Sequence, residues 1–364
     1  MTKRYRFFNI LVCSVCVGAV LFSLAYPSEA AGSVIRALSL CARRVIPGIF
    51  LFMAATKMLA KCGAASLFSR ITGGVLEKAL GVSESGAATV LFGLLSGYPT
   101  GAFMVGEFLE SGKMSREEAQ RLLPYVTAAS PAFLIGGVGA MFGNTRFGAI
   151  LLFGQTASAL ICLLLSHRNH NGTCACDIVR AEVSPLSSLV STVKECGAAS
   201  LNICSFVTFF CIFSEMILHF CPAYVKQSLF GAFLSGVCEI SCGFDRASSL
   251  PLGAMTYAFC GAMLGFGGIS VLMQVADAVG KHGLSIGKYF LGKLIQAAIC
   301  ASICLAVYPV TEKAELVLAS FLFDAEQGKI TAIWDITAIF IFQCAILALI
   351  LAIVIKIFMF LQKK

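Results

Sequence analysis

Apolar positions along this chain come in long unbroken runs rather than at the spacing of a half-buried helix or strand. Runs with few charges cover residues 7–27, 122–142, 147–166, 199–220, 286–308 and 333–360. Each reaches the roughly 20 residues a helix needs to cross about 30 Å of hydrocarbon, so each predicts a membrane span. A shorter run at 45–60 predicts a further crossing, whereas 64–80 and 185–196 read as amphipathic or interfacial pieces.

One run is interrupted at its centre. "LFGLLSGYPTGAFMVGE", residues 91–107, sets two apolar limbs around Ser96, Gly97, Tyr98, Pro99, Thr100 and Gly101. Limbs of about ten helical residues rise about 15 Å, half the hydrocarbon thickness. Pro99 lacks an amide proton and disfavours helix at the residue before it. Gly97 and Gly101 permit conformations that other residues resist. The pattern predicts a re-entrant hairpin over 86–110 with its tip near the midplane; the competing reading is a kinked spanning helix. In a bilayer an opened backbone must be satisfied within the protein or line a wet cavity. Helix ends at such a tip carry partial charge and can hold a polar solute or an ion.

The chain carries a faint internal echo. Ser96-Gly97 recurs as Ser235-Gly236, and Gly148 and Ala159 recur at the same offset as Gly287 and Ala298. Between these anchors each half has a second Gly-rich interruption, "SPAFLIGGVG" at 130–139 and "GFGGISVLMQ" at 265–274. Each half thus reads as a leading helix, a broken segment, a second broken helix and a closing helix. Counting the first broken segment as re-entrant gives an odd number of crossings per half, which inverts one half relative to the other. That is the plan of many secondary transporters, whose sites lie where helices break near the midplane. The expected organisation is 1–44, an N-terminal transmembrane helix with an outer linker; 45–166, a first repeat; 167–198, a cytoplasmic loop; 199–308, a second repeat; and 309–364, an outer loop with a C-terminal transmembrane helix.

Composition agrees. Of 364 residues 58% are hydrophobic and 13% charged, against about 25% charged in soluble domains; mean hydropathy is +0.89. The class is an all-α polytopic membrane protein. The net charge of +8 follows topology and implies no nucleic acid. With both termini cytoplasmic, most Lys and Arg residues fall inside, among them Lys281, Lys288 and Lys293, as the positive-inside rule asks. Arg36, Arg43 and Arg44 fall outside and fit worst. The basic start, apolar core and "SEA" also match a cleavable leader, but a run of this length is read as a retained first helix.

Ionisable groups within spans are costly and therefore informative. Glu239, three residues after Ser235-Gly236 in "LSGVCEISCGFDRASS", is the leading candidate for function, with Ser241 and Gly243 beside it. A carboxylate at a hairpin tip predicts proton or cation coupling. Gln274, Asp277 and Lys281 share one helical face. Asp277 and Glu215 read equally as functional or as interface residues; Glu107 faces water, and Lys57 snorkels to the inner surface.

Seventeen cysteines are scattered through apolar runs, where cysteine packs as a small hydrophobe. In "HRNHNGTCAC" the polar loop holds His167, His170, Cys174 and Cys176, good zinc or copper ligand types at a spacing that matches no standard site. A solvated loop is the preferred reading there, with no metal. No hydrolase, metalloprotease, phosphate-binding or dinucleotide fingerprint occurs in its required context, and the four histidines lie at loops or span ends. Catalysis is therefore not expected, and no cofactor is implied. The expected partners are the lipid bilayer and a small polar solute or ion, with homo-oligomerisation left open.

"GLLSGYPTGA", "SREEAQRLLPYVTAASPAFLIGGVGAMFG", "GVCEISCG" and "GFGGISVLMQ" together resemble the sporulation integral membrane protein family. That family belongs to the nucleoside-recognition, or Gate, domain superfamily, and the likeness covers roughly residues 45–308. The resemblance implies an inner-membrane protein of endospore-forming Firmicutes required for spore cortex formation. Superfamily relatives include concentrative nucleoside transporters and a domain of the ferrous iron transporter. Family motif positions map onto Ser96, Gly97, Tyr98, Pro99, Gly101, Ser130, Pro131, Glu239, Gly243, Gly267, Gly268 and Gln274. "SPAF" departs from a Gly-Pro pair common in relatives. The expectation is a transporter or gated pore for a small polar, nucleoside-like solute or ion. The alternative is a non-transporting scaffold for spore envelope assembly.

Overall fold

The computed structural model describes residues 3–61, 75–166 and 185–322, and those residues form helices with no strand among them. The chain opens with α1 (Lys3–Ala25), α2 (Pro27–Leu40) and α3 (Ile46–Lys61), the last two joined by a π-helical turn at Cys41–Val45. Between α1 and α2 the axis bends by 110°. Pro27 occupies the first turn of α2, where a missing amide proton costs nothing. Residues 28–44, expected as an outer linker, are therefore mostly helical.

Next come α4 (Val75–Leu80), α5 (Glu84–Ser96) and α6 (Thr100–Glu110), the last two forming the predicted hairpin around Gly97-Tyr98-Pro99. The Ser83 hydroxyl caps α5 by accepting from the Gly86 amide at 3.0 Å. In α7 (Arg116–Val126) the cap is Ser115. The run 122–142, expected as one span, is broken. Here α7 stops at Val126, residues 127–130 are non-helical, and helix resumes through a π-helical stretch (Phe133–Val138) into α8 (Gly139–Met141). The reason is local: Pro131 pushes Ser130 out of helical geometry, and the Ser130 hydroxyl then accepts from the Phe133 amide at 3.2 Å. The uninterrupted helix α9 (Thr145–Leu165) closes this half.

The second half repeats the order. After α10 (Pro185–His219) and the short α11 (Ala223–Lys226), α12 (Leu229–Cys238) and α13 (Ile240–Ala247) form a hairpin that turns at Glu239. Then α14 (Ala254–Phe266) and α15 (Gly268–Val279) form a helix broken at Gly267. Long α16 (Ile286–Leu322) closes the half. The piece 185–196, expected at the interface, is the start of α10, so the loop expected over 167–198 ends before residue 185.

Among the described residues, four helices are long and apolar enough to cross a membrane: Thr145–Leu165, Ser188–His219, Ala254–His282 and Ile286–Pro309. The bent α1–α2 pair makes a fifth if counted as one span. The chain is thus an all-α, multi-pass membrane protein. The expected final span, 333–360, lies outside the described residues. Helix α14 lies along α16, and α10 along α2 and α3. Gly154 of α9 and Gly261 of α14 both receive the Cys304 thiol of α16, the close approach through small residues that membrane helices use.

Candidate functional site

The site grows out of the two hairpin tips and the two helix breaks. Gly97 sits at φ +89°, and a Cβ there would stand 2.9 Å from the Ser130 Cβ, so only glycine lets the first tip lie on the first break. A Cβ on Gly101 would run into the Val126 carbonyl, which seats the hairpin on the end of α7. Ser96 donates to its own helix at Phe92 O, 2.6 Å away, and has no free hydrogen to offer a solute.

At the first break, Gln155 of α9 holds both backbone groups of one residue. Its Oε1 accepts from the Ala129 amide at 2.8 Å, and its Nε2 donates to the Ala129 carbonyl at 3.0 Å. Lys293 of α16, 1% exposed, donates to the Thr127 carbonyl at 3.2 Å and to Gln296 Oε1 at 2.7 Å. An ammonium there faces the negative end of α7. This corrects its placement among the cytoplasmic lysines: it is buried within the bundle.

The second tip is built around Glu239, which is 2% exposed. Its backbone is extended, and its carboxylate caps α13 by accepting from the Cys242 amide at 2.8 Å. Ser241 faces the same carboxylate. Gly236 and Gly243 let the hairpin limbs touch, so that a Cβ on either would crowd the other's backbone or Met263. At the second break Gly267 and Gly268 both have positive φ, +86° and +87°, and Gly268 lies against the Gly236 carbonyl. The arrangement parallels the first half: tip upon break in each.

The halves are also stitched together. The Tyr98 hydroxyl donates to the Leu264 carbonyl at 3.3 Å, which brings the first tip to the second break. Tyr98, Ser130, Glu239, Ser241 and Gln274 then line one small cavity of about 30 Å³. Val45, Ile49, Phe133, Ile203, Val207 and Val271 supply apolar walls. Gln274, 3% exposed, donates to Ser270 at 3.3 Å, but its Oε1 has no hydrogen-bond partner among the described residues. A buried amide oxygen left unpaired costs about 1–3 kcal/mol, which a ligand donor recovers.

A wider chamber of about 420 Å³ lies beside the second tip, lined by Arg36, Cys211, Ser214, Glu215, Ser235, Cys242, Asp245 and Arg246 among others. Glu215 pairs there with Arg36 at 3.1 Å and with Arg246, so its role is an interface within the chamber wall. At the opposite end of α10, Glu195 pairs with Lys57 at 3.2 Å and Lys61 at 2.8 Å.

Several predicted positions fall elsewhere. Asp277 is exposed near the end of α15, away from the cavity that Gln274 lines. Its separation from Gln274 by three residues was too coarse a guide to which part of the face is covered. Pro131 shapes the first break without lining the cavity. His167, His170, Cys174 and Cys176 lie outside the described residues. Sequence reasoning missed Gln155, Lys293 and the apolar walls; the signal available for the first two was a polar side chain inside an otherwise apolar span.

No protein-family model matches the chain. It is 21% identical over 330 residues to the sporulation integral membrane protein YlbJ of Bacillus subtilis (strain 168), covering 80% of this chain and 81% of that protein. A solved structure of CNTnw, a doubly substituted form in an outward-facing state, superposes with a TM-score of 0.50. That match has 13% identity and covers 84% of this chain and 88% of CNTnw. An inward-facing, substrate-bound structure of CNTnw gives 0.48 at 13% identity, with 86% and 87% covered. At that identity the outward-facing structure bears on the fold alone.

Proposed function

We propose that this chain is a transporter or gated pore for a small polar solute, nucleoside-like in its hydrogen-bonding character, and that its site is the cavity between the hairpin tips. The observation that carries the reading is convergence. Tyr98 and Ser130 from the first half meet Glu239, Ser241 and Gln274 from the second around one space. Within it the Gln274 oxygen is unpartnered. A carboxylate and an amide suit a solute rich in hydroxyl and N–H donors. The cavity has room for about one water, whereas small-molecule sites span about 300–1,000 Å³. The 420 Å³ chamber falls in that range. In this reading the solute waits in the chamber and enters when the second hairpin shifts. The closeness to YlbJ supports a place in sporulation and membership of its family. The positive-inside bias supports cytoplasmic termini, with Arg36 and the chamber on the outer side.

Uptake into proteoliposomes, measured against nucleosides, peptidoglycan precursors and cations, tests this. Transport of one class, lost in Glu239→Gln and Gln274→Leu, is the expected result. No uptake and no thermal stabilisation by any of them removes support. The scaffold reading makes the opposite forecast: Glu239→Gln and Gly97→Ala leave function intact, and changes within 167–198 abolish it.

A further inference from the structure

The wall between the outer chamber and the central cavity holds a chemistry that solute recognition does not use. Cys211 of α10 and Cys242 of α13 are joined there as a disulfide, and both line the chamber. A Glu239 carboxylate oxygen and the two sulfurs all lie within 4.8 Å of one another. Glu239 is buried, and no Lys, Arg or His side chain pairs with it among the described residues. Buried charges are normally paired or bound to a metal, and a disulfide offers neither. Once the disulfide is reduced and its sulfurs separate from bonding distance, two thiolates beside the Glu239 carboxylate are the donor set of a thiophilic divalent cation such as Zn²⁺.

We propose that the Cys211–Cys242 pair, once reduced, forms with Glu239 a binding site for a thiophilic divalent cation, which the disulfide precludes. In the reduction, a phosphine takes the oxygen of one water, and that water's two hydrogens complete two thiols. The cation then displaces both thiol protons and is held by two thiolates and the carboxylate. A cation bound there ties the α12–α13 hairpin to α10 between chamber and cavity. The site shares Glu239 with the transport reading, but cation binding is measured with no solute present, so either can fail without the other.

The test uses the purified full chain in detergent, reduced with a phosphine and titrated with Cd²⁺ under exclusion of oxygen. The expected result is thiolate-to-cadmium charge-transfer absorption in wild type that exceeds that of the Cys211→Ser/Cys242→Ser double variant by one bound ion per chain. Cys238→Ser, which alters the neighbouring thiol, should match wild type. Glu239→Gln keeps both thiols and should weaken binding about tenfold or more; that arm decides the matter if the double variant does not fold. Before reduction, wild type should bind one ion fewer. Equal absorption in wild type and the double variant overturns the proposal, as does unchanged affinity in Glu239→Gln or a comparable loss in Cys238→Ser.

Discussion

The two halves repeat one plan, tip upon break, yet satisfy their opened backbone in opposite ways. In the first half the tip carries no carboxylate, and the break borrows partners from distant helices. Gln155 holds both polar atoms of Ala129, and Lys293 covers the Thr127 carbonyl. In the second half the tip caps itself through Glu239, and two left-handed glycines make the break. That leaves its remaining polar groups, the Gln274 oxygen and the Glu239 carboxylate, turned to the cavity. A backbone satisfied from outside is a rigid seat; one satisfied by its own side chains leaves polar capacity for a ligand. On the transport reading proposed above, the first half would mainly support and the second mainly recognise, with Tyr98 as the link between them.

Six substitutions press on that comparison, each followed by thermal unfolding in detergent. The largest effect belongs to the seat of the first hairpin. In Gly101→Ala the new methyl meets the Val126 carbonyl, and we expect a loss of more than about 3 kcal/mol, read as failure to recover a monodisperse protein. Gly97→Ala, strained at φ +89°, should lose about 1–3 kcal/mol. A Gly101→Ala protein as stable as wild type would mean the hairpin does not rest on α7.

Lys293→Met comes next. It strips the Thr127 carbonyl and Gln296 Oε1 of their donor, at a cost of about 1–3 kcal/mol for each buried group left unpaired. A Lys293→Met variant with unchanged melting would show that the first break needs no borrowed cation.

The sharpest contrast sets Gln155→Leu against Gln274→Leu, the same change in each half. Gln155→Leu strips two backbone groups and should cost about 1–3 kcal/mol for each, whereas Gln274→Leu gives up one bond to Ser270 along with an oxygen already unpaired and should cost about 0.5–1.5 kcal/mol. Equal shifts in the two variants would dissolve the distinction between seat and site. Smallest of all is Glu239→Gln, within about 1 kcal/mol, because the amide oxygen still accepts from the Cys242 N–H. Uptake should nonetheless be lost, and a Glu239→Gln protein that transports as wild type would make the carboxylate structural.

Much of this was legible before any coordinates. The "SGYPTG" interruption, the "SP" pair and "GFGG" each mark a place where proline or glycine chemistry forbids a continuous helix, and the backbone opens at all three. Glu239 stood out because a carboxylate in an apolar segment has few cheap alternatives. Lys293 did not, since Lys288 lies one turn earlier in the same helix and is exposed. Asp277 erred the other way, carried inward by its neighbour Gln274.

By itself, then, the sequence determined the solvent, the helical class and the points where helices break, because hydropathy and the backbone preferences of Gly and Pro act over a few residues. Tertiary structure alone decided what meets at those breaks. It turned Lys293 inward and Asp277 outward, brought Cys211 to Cys242, and closed Tyr98, Glu239 and Gln274 around one space. Which face of a helix is covered depends on neighbours far along the chain, and in a lipid-solvated bundle an apolar face looks the same whether it meets lipid or protein.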